Sequence, residues 1–374
     1  MSIYQKYGLK TIINASGKMT ALGASAVESE VAEALAAAAM DYVDIEELWR
    51  ATGRMIARVT GAEDGCPTSG AAAGIAISVA AVLAGTNLNL IEAFPHAACP
   101  RNQVILQKGH AVHFGAAISQ MISLSGAEVV EVGQANHVER AHITTAINGK
   151  TAALFYVKSH HAVQKGMQPL ESLIEIGRAH SIPVLVDAAA EEDLRRYIRL
   201  GADLVMYSGG KAVGGPTSGF ICGRADLIEA CRAQYQGIGR PMKVGKEGII
   251  GLLTALERYE LKKDDSQEQL RRMQWLLERL AGLPGVQGSI VQDEAGRAIF
   301  RAQLSIDREA AGIDARELIK RLEAGDPAIY TRNHYANLGI INIDPRPLLP
   351  GQEQIIAQRI IEIIRGGKSH ETVD

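Results

Sequence analysis

Short, strongly apolar runs alternate with helical stretches between residues 70 and 225, and this alternation constrains the fold more than any other feature. Runs this apolar suit strands that are buried on both faces, as in a parallel sheet covered by helices. Five such runs occur, at residues 104–106, 129–132, 153–157, 184–186 and 204–207. Residues 219–222 follow after a connection too short for a helical crossover, so we expect an antiparallel strand there. The pattern predicts a doubly wound α/β domain with its ligands beyond the carboxyl ends of the strands.

Helical patterns flank this core. Ser25 and Glu28 have the spacing of a capping box, which predicts the start of an Ala-rich helix. A second helix carries an apolar stripe from Ile45 to Val59 and is expected to end at Gly61. The apolar run 71–85 is about fifteen residues long, whereas a membrane span needs roughly twenty. We therefore expect this run to form a buried helix.

The second half of the chain predicts a smaller α+β domain. A long helical segment begins near Lys246 and leads into a charged stretch. Beyond it, residues 299–306 and 328–330 have strand patterns. Asp314 is placed to cap a helix, and residues 352–365 predict a final amphipathic helix. We expect a large domain over residues 1–245 and a small one over residues 246–374.

The charge balance and the cysteines exclude several classes of protein. Lys and Arg number 39 against 42 Asp and Glu, a net charge of -3, so no broad field attracts nucleic acid or an anionic membrane. The four cysteines lack the Cys-x-x-Cys spacing of a zinc site or a disulfide framework, and we expect no metal. The first residues contain no apolar signal segment. These features predict a cytoplasmic protein.

Two strand ends carry the chemical signal. The run at 184–186 is followed by Asp187, and the run at 204–207 is followed by Ser208 and then by Lys211 among glycines. Pyridoxal 5′-phosphate (PLP) enzymes need a carboxylate for the ring nitrogen, an amine for the aldehyde and donors for the phosphate. Asp187, Lys211 and Ser208 match these roles in that order. Singly, an aspartate after a strand is more often a helix cap, and a lysine among glycines is usually a solvated loop residue. Their conjunction predicts a PLP enzyme.

The start of the apolar helix is a candidate site for the cofactor phosphate. Thr68, Ser69, Gly70 and Ala71 open this helix, and free N–H groups at a helix start attract anions. Gly70 allows the backbone to approach a ligand closely. Capping of the helix by Thr68 or Ser69 is the alternative interpretation.

Several motifs resemble bacterial selenocysteine synthase (L-seryl-tRNA selenium transferase), a fold-type I PLP enzyme. The similar segments are residues 12–18, 60–64, 126–133 and, most specifically, 208–219 around Lys211. The resemblance implies an aminotransferase-like fold, with active sites shared across a homodimer or a higher oligomer. The synthase also has an N-terminal tRNA-binding domain, whereas the first similar motif here begins near residue 11. We therefore expect no nucleic-acid partner.

The chain looks closer to the D-glucosaminate-6-phosphate ammonia-lyase branch, which acts on a phosphorylated amino-sugar acid. The implied reaction removes the Cα proton through Lys211, eliminates the β-hydroxyl as water and releases ammonia and a 2-keto-3-deoxy acid phosphate. A selenium transferase activity and an inactive PLP-binding homologue are the alternatives.

Histidines and cations complete the set of candidate residues. His160 and His161 follow the strand at 153–157 and are candidate general acids, while His110 and His113 could stack on the ring or serve as that acid. For each histidine a structural role is an equal alternative. The candidates for substrate binding are Asn14, Ser16, Arg240, Lys246 and Arg332, the last placed near the active site by the resemblance. Surface charge, or a turn at the N-terminus, is the alternative for these residues.

Overall fold

The computed structural model describes residues 3–159, 162–262, 264–293 and 298–366. The strands are β1 (Ile12–Ala15), β2 (Asp64–Thr68), β3 (Gln103–Gln107), β4 (Glu128–Val132), β5 (Thr151–Val157), β6 (Val184–Asp187), β7 (Leu204–Ser208), β8 (Gly219–Gly223), β9 (Val286–Gln292), β10 (Phe300–Ile306), β11 (Ala328–Thr331) and β12 (Ile340–Ile343). The helices are α1 (Ser29–Met40), α2 (Ile45–Thr60), α3 (Ala71–Ala84), α4 (Leu88–Ala93), α5 (Ile118–Ser123), α6 (Arg140–Ala146), α7 (Leu170–His180), α8 (Arg196–Leu200), α9 (Ala225–Ala233), α10 (Lys246–Leu261), α11 (Ser266–Leu280), α12 (Arg308–Ala311), α13 (Ala315–Ala324) and α14 (Gln352–Gly366).

The larger sheet has the strand order β2-β8-β7-β6-β5-β3-β4 among the described residues. Strands β3 to β7 run parallel, and β8 pairs antiparallel with both β7 and β2. The five predicted parallel strands and the antiparallel sixth are confirmed. Strand β2 was not predicted, because its sequence, Asp-Gly-Cys-Pro-Thr, contains residues that are depleted in strands. Its position at the edge of the sheet tolerates the proline.

Alternate residues of the parallel strands enter two different hydrophobic clusters. On β5, Leu154 and Tyr156 pack in one cluster, whereas Phe155 and Val157 pack in the other. Both faces of the sheet are therefore covered, which explains why its strands are apolar without alternation. Helix α3 is the predicted buried helix, and most of its side chains are inaccessible. Within the described ranges, no helix is both long and apolar enough to cross a membrane.

The start of α1 differs from the prediction. The helix begins at Ser29, and its N-cap residue Glu28 makes no side-chain capping bond. The predicted capping box is therefore wrong. The hydroxyl of Ser25 instead donates to the carbonyl oxygen of Gly215 at 2.7 Å. Helix α2 does end at Gly61, which adopts a left-handed conformation with φ of 73°.

The chain divides into two compact units with boundaries different from the one expected at residue 245. The large unit spans residues 25–262 and includes α10, because this helix packs on α1 and α2. The small unit combines residues up to 24 with those from 263 onward. The N-terminal segment belongs to it because β1 pairs in parallel with β11.

The described residues of the small unit form two sheets beside an apolar core. Strands β9, β10 and β12 form an antiparallel sheet of order β12-β10-β9, and β1 and β11 form a second sheet. Helices α11, α13 and α14 contribute to the core beside them. The predicted strands at 299–306 and 328–330 and the final helix are confirmed. Asp314 caps α13 by accepting from the Glu317 N–H at 2.8 Å, as expected.

Candidate active site

Asp187 and Lys211 lie at the carboxyl edge of two neighbouring parallel strands. Asp187 is the last residue of β6, and Lys211 follows β7 by three residues. Their side chains interact electrostatically, since the Lys211 ammonium lowers the pKa of Asp187 and the Asp187 carboxylate raises that of Lys211. The acid and the amine that the sequence singled out therefore lie close enough to influence each other's ionisation.

Burial dominates the ionisation of both groups. Asp187 is 6 % exposed, and the loss of solvation raises its pKa from 3.8 to about 6, against the influence of Lys211 and of the Ala189 N–H at 3.1 Å. Burial also lowers the pKa of the Lys211 ammonium below its usual 10.5, which Asp187 only partly offsets. A lowered pKa increases the unprotonated fraction of the lysine near neutral pH, and only this form can act as a nucleophile or a base.

The start of α3 is an uncapped helix end beside open space. Gly70 is the N-cap residue, and no side chain caps the helix. The Thr68 hydroxyl donates to the Gly70 carbonyl oxygen at 2.9 Å, and the Ser69 N–H donates to Met242 at 3.0 Å. The alternative of capping by Thr68 or Ser69 is therefore not found, and the Thr68 hydroxyl proton is engaged internally. A Cβ on Gly70 would contact nothing within 4 Å, so there is room for an anion at the first turn, which begins at Ala71.

The histidines after β3 and β5 have different surroundings. His110 is completely buried, accepts from the Val157 N–H at 3.2 Å through Nδ1 and packs edge-on against Tyr156. Burial lowers its pKa to about 4, so it is neutral at pH 7. His113 is exposed, and its Nδ1 accepts from the Gly115 N–H at 3.3 Å. His160 and His161 lie outside the described residues.

The candidate cations of the large unit separate into two cases. Arg240 is exposed in the short turn Arg240–Met242, whose Met242 carbonyl oxygen accepts from Ser69 next to the start of α3. The Lys246 ammonium donates to the carbonyl oxygens of Ala38 and Ala39 at the end of α1. Lys246 thus caps a helix C-terminus, which satisfies orphan carbonyls there, in contrast to its expected contact with substrate.

Arg332 is half-buried and forms no ion pair with a described carboxylate. Its backbone pairs with Asn342 through hydrogen bonds of 2.8 and 3.0 Å. Its guanidinium makes no hydrogen bond or ion pair with any residue that the structure describes. Burial and the neighbouring Arg301 lower its pKa. An anionic ligand would stabilise a partly desolvated guanidinium of this kind, so Arg332 is a candidate binding residue.

Sequence reasoning missed the ion-pair network beside Arg332. The buried Arg301 donates to Asp344 at 2.9 Å and to Asp293 at 2.8 Å, and Arg346 grips Asp344 with bonds of 2.8 and 2.9 Å. Among the described residues, Arg301 and Arg346 thus bind the two carboxylates, and Arg332 forms an ion pair with neither. The available signal was an arginine beside apolar residues in a predicted strand, since charged residues are rarely buried without a partner.

Asn14 and Ser16 form a local turn of the small unit. The Asn14 side chain accepts from the Ser16 N–H and hydroxyl at 3.0 and 3.1 Å and donates to Gly17 at 2.8 Å. The Ala15 carbonyl oxygen accepts from the Asp344 N–H at 2.8 Å, which seats the turn on the network around Arg332. The turn that was the alternative interpretation of these residues is therefore present.

Comparison with known proteins finds relatives over nearly the whole length. The family model of L-seryl-tRNA selenium transferase matches residues 12–293. A 5′-C-glycyluridine monooxygenase-decarboxylase from a Streptomyces species is 46% identical over 96% of this chain and 92% of its own. The D-glucosaminate-6-phosphate ammonia lyase of Salmonella typhimurium is 44% identical over 97% and 98% of the two chains.

Solved structures agree with these matches. A structure of D-glucosaminate-6-phosphate ammonia-lyase superimposes with a TM-score of 0.92 and 43% identity, covering 98% of this chain and 99% of the other. An aspartate aminotransferase from Thermus thermophilus shares the fold, with a TM-score of 0.52, 17% identity and coverage of 96% and 93%. The fold is therefore that of the fold-type I, aminotransferase-like enzymes, as the sequence predicted.

Proposed function

Because the chain belongs to the L-seryl-tRNA selenium transferase family, we propose that it is a PLP-dependent ammonia-lyase acting on D-glucosaminate-6-phosphate. Two observations support the proposal, one for the mechanism and one for the substrate. The mutual electrostatic influence of Asp187 and Lys211 fits PLP chemistry, and this single observation carries the mechanism. The nearly full-length similarity to the Salmonella ammonia lyase supports the substrate.

The described residues fit the cofactor. Lys211 would bind its aldehyde, Asp187 would hold a proton on its ring nitrogen, and the uncapped start of α3 beside Gly70 would receive its phosphate. Ser208, half-buried at the end of β7, would add a hydroxyl donor. The exposed ring of His113 is available to stack on the cofactor. When bound, the cofactor supplies an electron-accepting ring that stabilises negative charge at the substrate Cα.

The residues of the chain then move protons and hold the substrate. Lys211 Nζ would take the Cα proton, and its lowered pKa makes the required unprotonated amine more abundant near neutral pH. His160 or His161 would donate a proton to the departing β-hydroxyl. The water lost at Cβ is balanced by the water that later releases the amine, so the net products are ammonia and a 2-keto-3-deoxy acid phosphate. Arg332 would bind one substrate anion, and Arg240, beside the start of α3, the other.

We expect Arg332→Gln to raise the apparent KM about thirtyfold, because a lost charge-assisted contact costs roughly 2 kcal/mol. The thermal midpoint of the free protein should not fall, because the guanidinium has no described ion pair to lose. Steady-state kinetics and a thermal melt measure both quantities. Arg308→Gln, which changes an exposed arginine of the same unit, is the control and should leave KM unchanged. An unaltered KM in Arg332→Gln would remove this residue from the site.

The direct test is incubation of the PLP-loaded protein with D-glucosaminate-6-phosphate, with ammonia and keto acid measured in equal amounts. Failure to form either product from this and other phosphorylated 3-hydroxy amino acids would overturn the proposal.

The 46% identity to the Streptomyces enzyme favours 5′-C-glycyluridine as the second substrate to try. Oxygen uptake with that compound, and no ammonia from the sugar acid, would identify the second function. A selenium transferase is not favoured, because the two nearly full-length relatives have other activities.

The assembly and compartment complete the proposal. We propose a homodimer, which is supported by the apolar residues that lie exposed between α1 and α2. Met40 is 80 % and Tyr42 102 % exposed, and Val43 is also exposed, an unusual concentration for the surface of a monomer. We also propose a cytoplasmic location, which a small phosphorylated substrate would support.

A further inference from the structure

The chain around Lys211 forms a closed loop, here called the Lys211 loop and defined as residues 209–218. Its two ends meet through the hydrogen bond from the Gly209 N–H to the Ser218 carbonyl oxygen at 2.8 Å. The Gly215 N–H donates back to Gly209 at 2.7 Å, and the Gly214 N–H donates to Lys211 at 3.2 Å. Lys211 therefore belongs to a compact, internally bonded segment that connects the paired strands β7 and β8.

Two contacts hold the outer end of the Lys211 loop. The Ser25 hydroxyl donates to the Gly215 carbonyl oxygen at 2.7 Å, a bond between residues 190 positions apart. Pro216 lies against α10, since a Cβ on Gly251 of that helix would come within 2.9 Å of the Pro216 side chain. The loop is therefore held against the N-terminal segment of the large unit.

We propose that Ser25 is a positioning residue for Lys211, acting through its hydrogen bond to Gly215. The inference rests on the proposed function in one respect, namely that Lys211 is the amine that binds the cofactor. Gly215 is buried, so removal of the hydroxyl leaves its carbonyl oxygen without this donor, and the loop is expected to shift to recover one. Lys211 then moves relative to Asp187 and gains water.

The test compares Ser25→Thr with Ser25→Val in the full-length protein. The two side chains have the same shape, and only threonine keeps the hydroxyl donor. We expect the Val variant, loaded with PLP, to lose about five- to tenfold in kcat, as about 1 kcal/mol of a lost hydrogen bond implies, with KM within about twofold. The Thr variant should behave as wild type. Ser25→Ala is a second donor-free variant and should match Val.

A second readout does not depend on turnover. The rate of covalent PLP incorporation into the cofactor-free protein rises as Lys211 loses its proton. A better-solvated Lys211 holds its proton more firmly, so the pH midpoint of this rate should rise by about 0.5–1 unit in the Val and Ala variants. A loss of general stability alone would leave this midpoint in place.

Ser29→Ala is the matched control, because it removes a neighbouring hydroxyl whose described contact is with Glu30 at 2.9 Å. It should change neither kcat nor the midpoint. Equal behaviour of the Thr and Val variants would overturn the inference. If the wild type itself failed to incorporate PLP at Lys211, the proposed function would fall instead, so the two failures are distinguishable.

Discussion

Lys211→Ala is expected to reduce kcat by a factor of about 10³ or more and to abolish covalent labelling of the protein by PLP and borohydride. The amine that binds the aldehyde and the base that takes the Cα proton are lost together. Folding should persist, because removing a partly buried ammonium whose pKa is already lowered takes little from the core. We expect a change in the free energy of unfolding within about 1 kcal/mol.

The labelled peptide provides the measurement and the control. Digestion and mass spectrometry of the borohydride-treated wild type should place the label on Lys211. Lys158→Ala tests the lysine that follows β5, whose N–H donates to the Asp187 carbonyl oxygen at 2.8 Å, and should retain the label. A Lys211→Ala protein that still carried the label would assign the cofactor to another lysine.

Asp187→Asn is expected to lower kcat at least about a hundredfold and yet to stabilise the cofactor-free protein at pH 7.5. The amide cannot hold a proton on the ring nitrogen through a negative charge, so the electron-accepting capacity of the cofactor falls. The gain in stability follows from burial. An ionised carboxylate at this site is disfavoured by desolvation, and the neutral amide of similar shape avoids that cost.

The pH dependence of this gain has a definite sign. The pKa of Asp187 in the folded protein, about 6, lies above the ordinary 3.8, so folding favours the protonated form. The stability from this group is present below pH 3.8 and is lost as pH rises through 6. Asparagine keeps it, which predicts an advantage of about 2–3 kcal/mol at pH 7.5, narrowing to about 1 kcal/mol at pH 4.5.

Urea unfolding of the cofactor-free wild type and the Asn variant at the two pH values measures this difference. Asp193→Asn serves as a control, because this exposed carboxylate pairs with Arg199 at the surface. Its effect on the free energy of unfolding should not change in this way between the two pH values. A variant less stable than wild type at pH 7.5 would contradict the burial argument, whatever its activity.

Much of the large unit could be predicted because its signals are local. The apolar runs of β3 to β7 directly indicate strands buried on both faces, and Gly61 indicates a helix end with a left-handed backbone conformation. Asp187 and Lys211 could be paired in advance for the same reason, since parallel neighbouring strands end at one edge of their sheet. By contrast, β2 carries no strand pattern and exists because its backbone groups pair with β8 at the sheet edge.

The amino-acid order by itself determined where buried strands leave the sheet and which reactive side chains stand at their ends. Only the tertiary structure decided the partners of polar groups with several possible acceptors. Ser25 bonds to Gly215 instead of to its own helix, Lys246 binds the end of α1, and among the described residues Arg332 forms no ion pair with the carboxylates that Arg301 and Arg346 bind. Periodicity records burial along one element, whereas a hydrogen bond or an ion pair depends on which distant groups the fold brings within about 3 Å.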